Sequence, residues 1–128
     1  MRASSHYLGS KRFETAVGKH TFRTDHTGVG PTPPDFFVAS LAACIGIYVS
    51  GYCEKVGLDA SGLTVELEYE KTPVLMTDFA VRVRLPHAVL GPRAAAVQRV
   101  AEACFVHETI RSFAVCPITV EGAEAAAA

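Results

Sequence analysis

Four cysteines, Cys44, Cys53, Cys104 and Cys116, are the side chains of this 128-residue sequence best suited to chemistry. A thiolate is a strong nucleophile and can pass through sulfenic acid to a disulfide, and nearby charge and access govern both steps. Geometry separates the first two. Cys44 and Cys53 are nine residues apart, which at about 100° per residue sets them on opposite faces of a straight helix. Ser40 and Tyr48 lie one turn to either side of Cys44, on its own face. Cys53, beside Glu54 and Lys55, reads as a buried bystander. Cys116 alternates with Val115 and Pro117 and reads as a core or half-buried strand cysteine. Cys104 falls at the end of a second helix, in Ala101-Glu102-Ala103-Cys104-Phe105-Val106-His107, where a change of backbone direction suits a thiol that must move. Spacing alone leaves two readings of Cys44 and Cys104 open: a redox pair, or two small hydrophobes in a core. His107 reads as a half-exposed helix residue. The five histidines and four cysteines show no close metal-ligand spacing, so no zinc site is expected.

The elements that must position these thiols are legible in outline. Residues 11–16 and 19–24 alternate about the turn Gly18-Lys19, which predicts a hairpin. Residues 25–32 are rich in breakers and read as loop. Thr32 then stands as an N-cap, Pro33 takes the first helical position, and Asp35 falls near the positive end of the dipole. The helix is expected to run to Val56 with Gly57 as its C-cap. Leu63–Tyr69 and Phe79–Leu85 place apolar residues on odd positions, the pattern of two half-buried antiparallel strands. Gly91-Pro92 opens a second helix through Cys104, a further turn follows over Val106–Arg111, and residues 115–120 read as an edge strand because Pro117 has no amide hydrogen to give a ladder. The expected order is β-β-α-β-β-α-β, an α+β class with a buried helix against a curved antiparallel sheet.

Composition narrows the partners. The length suits a single domain over residues 1–128, with 123–128 as a frayed tail. Twelve basic residues against 13 acidic ones, with no basic run, argue against nucleic acid. The start, Met1-Arg2-Ala3-Ser4-Ser5-His6-Tyr7, has no apolar signal core, and Ser40, Gly46, Ser50 and Gly51 interrupt the apolar helix, which therefore reads as a core element with no membrane role. Widely spaced cysteines do not form a secreted disulfide framework, so a cytoplasmic location is expected.

Gly30-Pro31-Thr32-Pro33-Pro34-Asp35-Phe36-Phe37, followed by Ala39-Ser40-Leu41-Ala42-Ala43-Cys44, resembles the central-helix signature of the OsmC/Ohr family of thiol-dependent peroxide reductases. Cys104-Phe105-Val106-His107-Glu108-Thr109-Ile110 resembles that family's second motif, and the resemblance spans roughly residues 9–121. It implies an intertwined homodimer of α+β subunits with long central helices at its heart and two sites formed between subunits. It also implies that Cys44 is the peroxidatic thiol and Cys104 the resolving one. An external dithiol would be the reductant, with no cofactor. Phe36, Phe37 and Leu41, with Tyr48, would line a pocket favouring organic hydroperoxides. An arginine of the N-terminal sheet, Arg12 ahead of Arg23, would favour the Cys44 thiolate.

Two departures stand out. Pro34 occupies the position, ten residues before Cys44, where the family's peroxidases carry a Glu that holds the arginine, leaving Asp35 as a shorter substitute. Phe105 replaces the usual Pro after the second cysteine. Both place the chain nearer the broader OsmC-like branch, where a non-catalytic carrier of a small apolar ligand, or a redox sensor, are the alternatives to a peroxidase.

Overall fold

A computed structural model of the chain describes residues 1–113 and 116–123. Three strands come first, β1 (Ala3–Gly9), β2 (Arg12–Val17) and β3 (His20–Asp25), paired as an antiparallel meander in that order. Ser10 and Lys11, between β1 and β2, have φ of 54° and 57°, the pair of left-handed residues that a type I′ hairpin turn requires. Gly18, in the second hairpin, has φ 58°. The predicted hairpin corresponds to β2 and β3. Strand β1 was not expected: its sequence carries no apolar alternation, and its residues before Gly9 are all exposed.

Helix α1 (Pro33–Val56) starts and stops at the predicted residues. The Thr32 amide donates to Asp35 Oδ2 at 2.8 Å and the Asp35 amide donates to Thr32 Oγ1 at 3.3 Å, so each end of the motif satisfies an amide that the first turn leaves unpaired. Gly57 closes the helix at φ 77° with its amide on the Cys53 carbonyl. Leu41, Ile45, Val49 and Cys53 form the buried stripe, recurring every fourth residue, and with Val97 and Cys104 they make the fully buried core. By length and composition alone α1 could cross a membrane, but that stripe marks it as the core helix of this fold. The opposite face is bare: Ala43 and Gly51 are exposed and Ile47 is 69% exposed.

Strands β4 (Thr64–Lys71) and β5 (Met76–Arg84) form a separate two-stranded antiparallel sheet, so the described strands make two sheets in place of the single curved sheet expected. The register shifts between Glu68↔Ala80 and Glu70↔Thr77, setting Asp78 and Phe79 against Tyr69 alone, with Asp78 at φ 56°. This is a β-bulge, a device that bends a strand and re-aims its side chains. Phe79 stacks on Tyr69 at a centroid distance of 5.7 Å and approaches Phe37 of α1 at 6.2 Å.

A 3-10 turn (Gly91–Arg93) leads into α2 (Ala94–Glu102), and α3 (Phe105–Arg111) follows. The second helix thus ends before Cys104. That residue is extended (φ −60°, ψ 143°) and serves as the N-cap of α3, where the sequence reading placed it as the last residue of the second helix. Helix α1 packs on α2, β4 and α3. The expected closing strand is not present over 116–120, and Val115 lies outside the described residues. Cys116 is exposed, correcting its assignment to a core or half-buried strand position.

Candidate functional site

The central helix brings Cys44 to the flank of the core, half-buried, while the break between α2 and α3 brings Cys104 into the core, where it is 0% exposed. Cys44 lies near enough to Cys104 to act on its thiol, and both cysteines are free. Burial, as the largest cause, pushes the Cys104 thiol up from its ordinary value. The His107 backbone N–H, donating to Cys104 Sγ at 3.3 Å, pulls the other way. Cys44 adds to the rise, both as hydrogen-bond partner and as negative charge. Burial and the neighbouring Cys44 thus both favour the protonated form of Cys104, because a thiolate is costly to form in the core. Cys53 is also pushed up by burial, with no contribution from another cysteine. It stands in the core stripe as the bystander the helical arithmetic assigned.

His107 spans the break. Its amide holds Cys104 Sγ, and its ring Nδ1 lies 2.7 Å from the Glu102 carbonyl, the last residue of α2. A carbonyl only accepts, so Nδ1 carries the hydrogen. Among the described residues no group of three His, Cys, Asp or Glu side chains is placed to hold a metal ion.

The arginine and its acidic partner are arranged differently from expectation. Asp35 is engaged in the α1 cap, its carboxyl held below the usual range first by the Thr32 amide and hydroxyl and then by Lys71. The carboxylate beside Arg12 is instead Asp25, its register partner across β2 and β3. Thr27 is the main cause of the lowered Asp25 carboxyl, and Arg12 adds a smaller contribution. Arg12 also donates from Nε to the Gly9 carbonyl at 3.3 Å, and Arg23 pairs with Glu14 at 3.6 Å. Neither guanidinium figures among the groups acting on Cys104.

The four pocket residues do not converge on one cleft of the single chain. Phe36 packs edge-on against Phe22 at 5.8 Å and faces a cleft with Phe13, Pro33 and Ser40. Phe37, one residue and about 100° further round the helix, faces another cleft of about 440 Å³, formed with Phe105, Val106, Thr109, Ile110 and Phe113. Leu41 is 4% exposed and belongs to the core, and Tyr48 is exposed and lines neither cleft. Sequence reasoning missed Phe105, Val106, Ile110 and Phe113 as a group. Their signal was present, since an apolar residue recurs at Val106, Ile110 and Phe113 beside the Cys104 motif.

A long helix carrying Cys44 against a broken helix pair carrying Cys104, together with antiparallel strands, places the chain in the α+β class. Residues 25–120 match the family described as OsmC-like protein, and the chain belongs to that family. Solved structures share the fold at low identity. An OsmC-like protein from Mycoplasma pneumoniae superposes with a TM-score of 0.72 at 12% identity, over 88% of this chain and 87% of that one. An OsmC-like hydroperoxide resistance protein from Jannaschia sp. gives 0.57 at 18% identity, over 94% and 91%. An organic hydroperoxide resistance protein, OsmC, from Legionella pneumophila gives 0.59 at 20% identity, over 86% and 88%. No curated protein matches the chain in sequence.

Proposed function

We propose that the chain is a thiol-dependent peroxide reductase acting on organic hydroperoxides, with Cys44 as the attacking thiolate and Cys104 as the resolving thiol. The observation that carries this reading is the proximity of a half-exposed Cys44 to a fully buried Cys104 whose thiol is pushed up by burial. Cys44 attacks the terminal peroxide oxygen and the O–O bond breaks. The alkoxide leaves with a proton as alcohol, and Cys44 becomes a sulfenic acid. Cys104 sulfur then attacks Cys44 sulfur, its proton and the departing hydroxide form water, and a disulfide remains. An external dithiol supplies two electrons and two protons to reset both thiols and is itself oxidised to a disulfide.

The apolar cleft of Phe37, Phe105, Val106 and Ile110 begins at the residue after Cys104, which supports an alkyl or aryl peroxide over a small polar one. Arg12 is assigned to activation of Cys44 within a homodimer. The bare face of α1, with Ile47 69% exposed, supports that dimer, since a second copy would cover it. The location in this reading is the cytoplasm, where dithiol reductants are available.

Reduced protein is expected to consume cumene hydroperoxide in the presence of a dithiol, and Cys44→Ser to abolish consumption. Intact consumption in Cys44→Ser, or none by the wild type across several dithiols, overturns the assignment. A second reading, a carrier of a small apolar ligand, is favoured by the engagement of Arg12 with Gly9 and of Asp35 with Thr32. It predicts ligand binding that survives Cys44→Ser.

A further inference from the structure

We propose that the His107 imidazole is a positioning residue for disulfide closure: it ties the carbonyl end of α2 to α3 and thereby holds Cys104 against Cys44 while the Cys104 sulfur changes partners. This inference rests on the reading above only for the event itself, formation of a Cys44–Cys104 disulfide.

Only Ala103 and Cys104 separate α2 from α3, so the position of the Cys104 backbone is set by whatever fixes these two helices to each other. His107 makes two bonds across that break, and they respond differently to closure. Its amide donates to Cys104 Sγ at 3.3 Å. That bond must be surrendered as the sulfur moves to roughly 2.05 Å from its partner. Its ring Nδ1–H donates to the Glu102 carbonyl at 2.7 Å and does not involve the sulfur, so it survives the movement. The ring is half-buried and lines a cavity of about 300 Å³ with Ile45, Val97, Gln98 and Glu102.

The ring bond also satisfies one of the terminal carbonyls of α2, which lack helical partners. Without it the two-residue linker loses its tie, the Cys104 thiol samples a larger volume, and its effective concentration at Cys44 falls. The ring makes no hydrogen bond to either reacting sulfur; its contribution is to keep closure a side-chain rotation and not a helix movement.

The test compares His107→Asn, His107→Gln and His107→Leu, all in the full chain. An Asn amide places a donor near the position of Nδ1, whereas a Gln amide places one near Nε2. Closure is followed by rapid quench and mass analysis after addition of diamide, which removes one hydrogen from each thiol and is reduced to its hydrazine. A parallel series uses one equivalent of cumene hydroperoxide with dimedone to trap Cys44 sulfenic acid. In His107→Leu and His107→Gln, closure is expected to slow about tenfold, the equivalent of one ordinary hydrogen bond. His107→Asn is expected to close at close to the wild-type rate, and sulfenic acid formation at Cys44 to be unchanged in all three. Wild-type closure rates in His107→Leu and His107→Gln, or an equal loss in Asn and Gln variants, overturn the proposal. Diamide closure that depends on His107 in a protein that consumes no hydroperoxide would refute the peroxidase and leave this inference standing.

Discussion

Cys44 and Cys104 are neighbours without a covalent bond, one half-buried at the flank of the core and the other sealed inside it. The pair is chemically unequal although the residues are identical. A reagent from solvent reaches Cys44 before Cys104, and burial favours the protonated form of Cys104. That asymmetry is the basis for the two different roles proposed for the two thiols.

Alkylation order follows directly. In a Cys116→Ser background, which removes the exposed thiol, limiting iodoacetamide is expected to modify Cys44 before Cys104 and Cys53, both 0% exposed. Peptide mapping by mass spectrometry reads the order, and earlier modification of Cys104 would contradict it.

The buried thiols also predict a weakness in alkali. Cys53 and Cys104 are both raised from the ordinary 9.0, with burial the largest cause in each. Above that value the unfolded chain releases these protons while the native chain retains them, so stability is full below about pH 9 and is lost as pH rises through the elevated native values. Thermal melts between pH 8 and pH 10.5 are expected to show this decline, and Cys53→Ala to flatten it. A decline that is equally steep in the variant would mean that other groups set it.

Leu41 and Phe37 separate packing from recognition. Leu41 is embedded with Ile45 and Cys104, and Leu41→Ala is expected to cost about 3 kcal/mol in stability, transfer and cavity terms together. Phe37 is 40% exposed at the mouth of the apolar cleft, so Phe37→Ala is expected to raise KM for a bulky hydroperoxide several-fold with a much smaller effect on chemical denaturation. Denaturant titration alongside steady-state kinetics distinguishes the two; matched stability losses would place Phe37 in the core as well.

The bare face of α1 makes its own prediction. Wild-type protein is expected to sediment as a dimer, and Ile47→Asp, which buries a charge if that face is covered, to sediment as a monomer at micromolar concentration. Analytical ultracentrifugation decides, and an unchanged dimer would move the interface elsewhere.

What could be read from the sequence was the local chemistry. Thr32, Pro33, Asp35 and Gly57 each act within a few residues of themselves, so the ends of α1 could be assigned from residue type. The opposite-face argument for Cys44 and Cys53 was equally local. The turn at Cys104 was legible in outline, but the periodicity of Ala95, Val97, Val100 and Ala101 carries no sign that the helix stops at Glu102 and that Cys104 turns extended to cap α3. Strand β1 was hidden since its register is imposed by pairing with β2 and not by an apolar face of its own. The placement of Asp25 beside Arg12 likewise depends on strand register, so the acid was sought before the helix and is found across the sheet. The division of Phe36 and Phe37 between two clefts required knowing what packs on either side of α1.

The bulge at Asp78 ties together parts of the chain that never bond. Its left-handed backbone, φ 56°, is a conformation that Gly, Asn and Asp tolerate and β-branched residues resist. The extra residue brings Phe79 onto Tyr69 and toward Phe37, so the count of residues along one strand sets the footing of the central helix. A single insertion or deletion between residues 77 and 80 would then disturb the seat of Phe37 and the helix that carries Cys44. Natural variation in that short segment should accordingly be tolerant of side chain only within those three residue types, and intolerant of length.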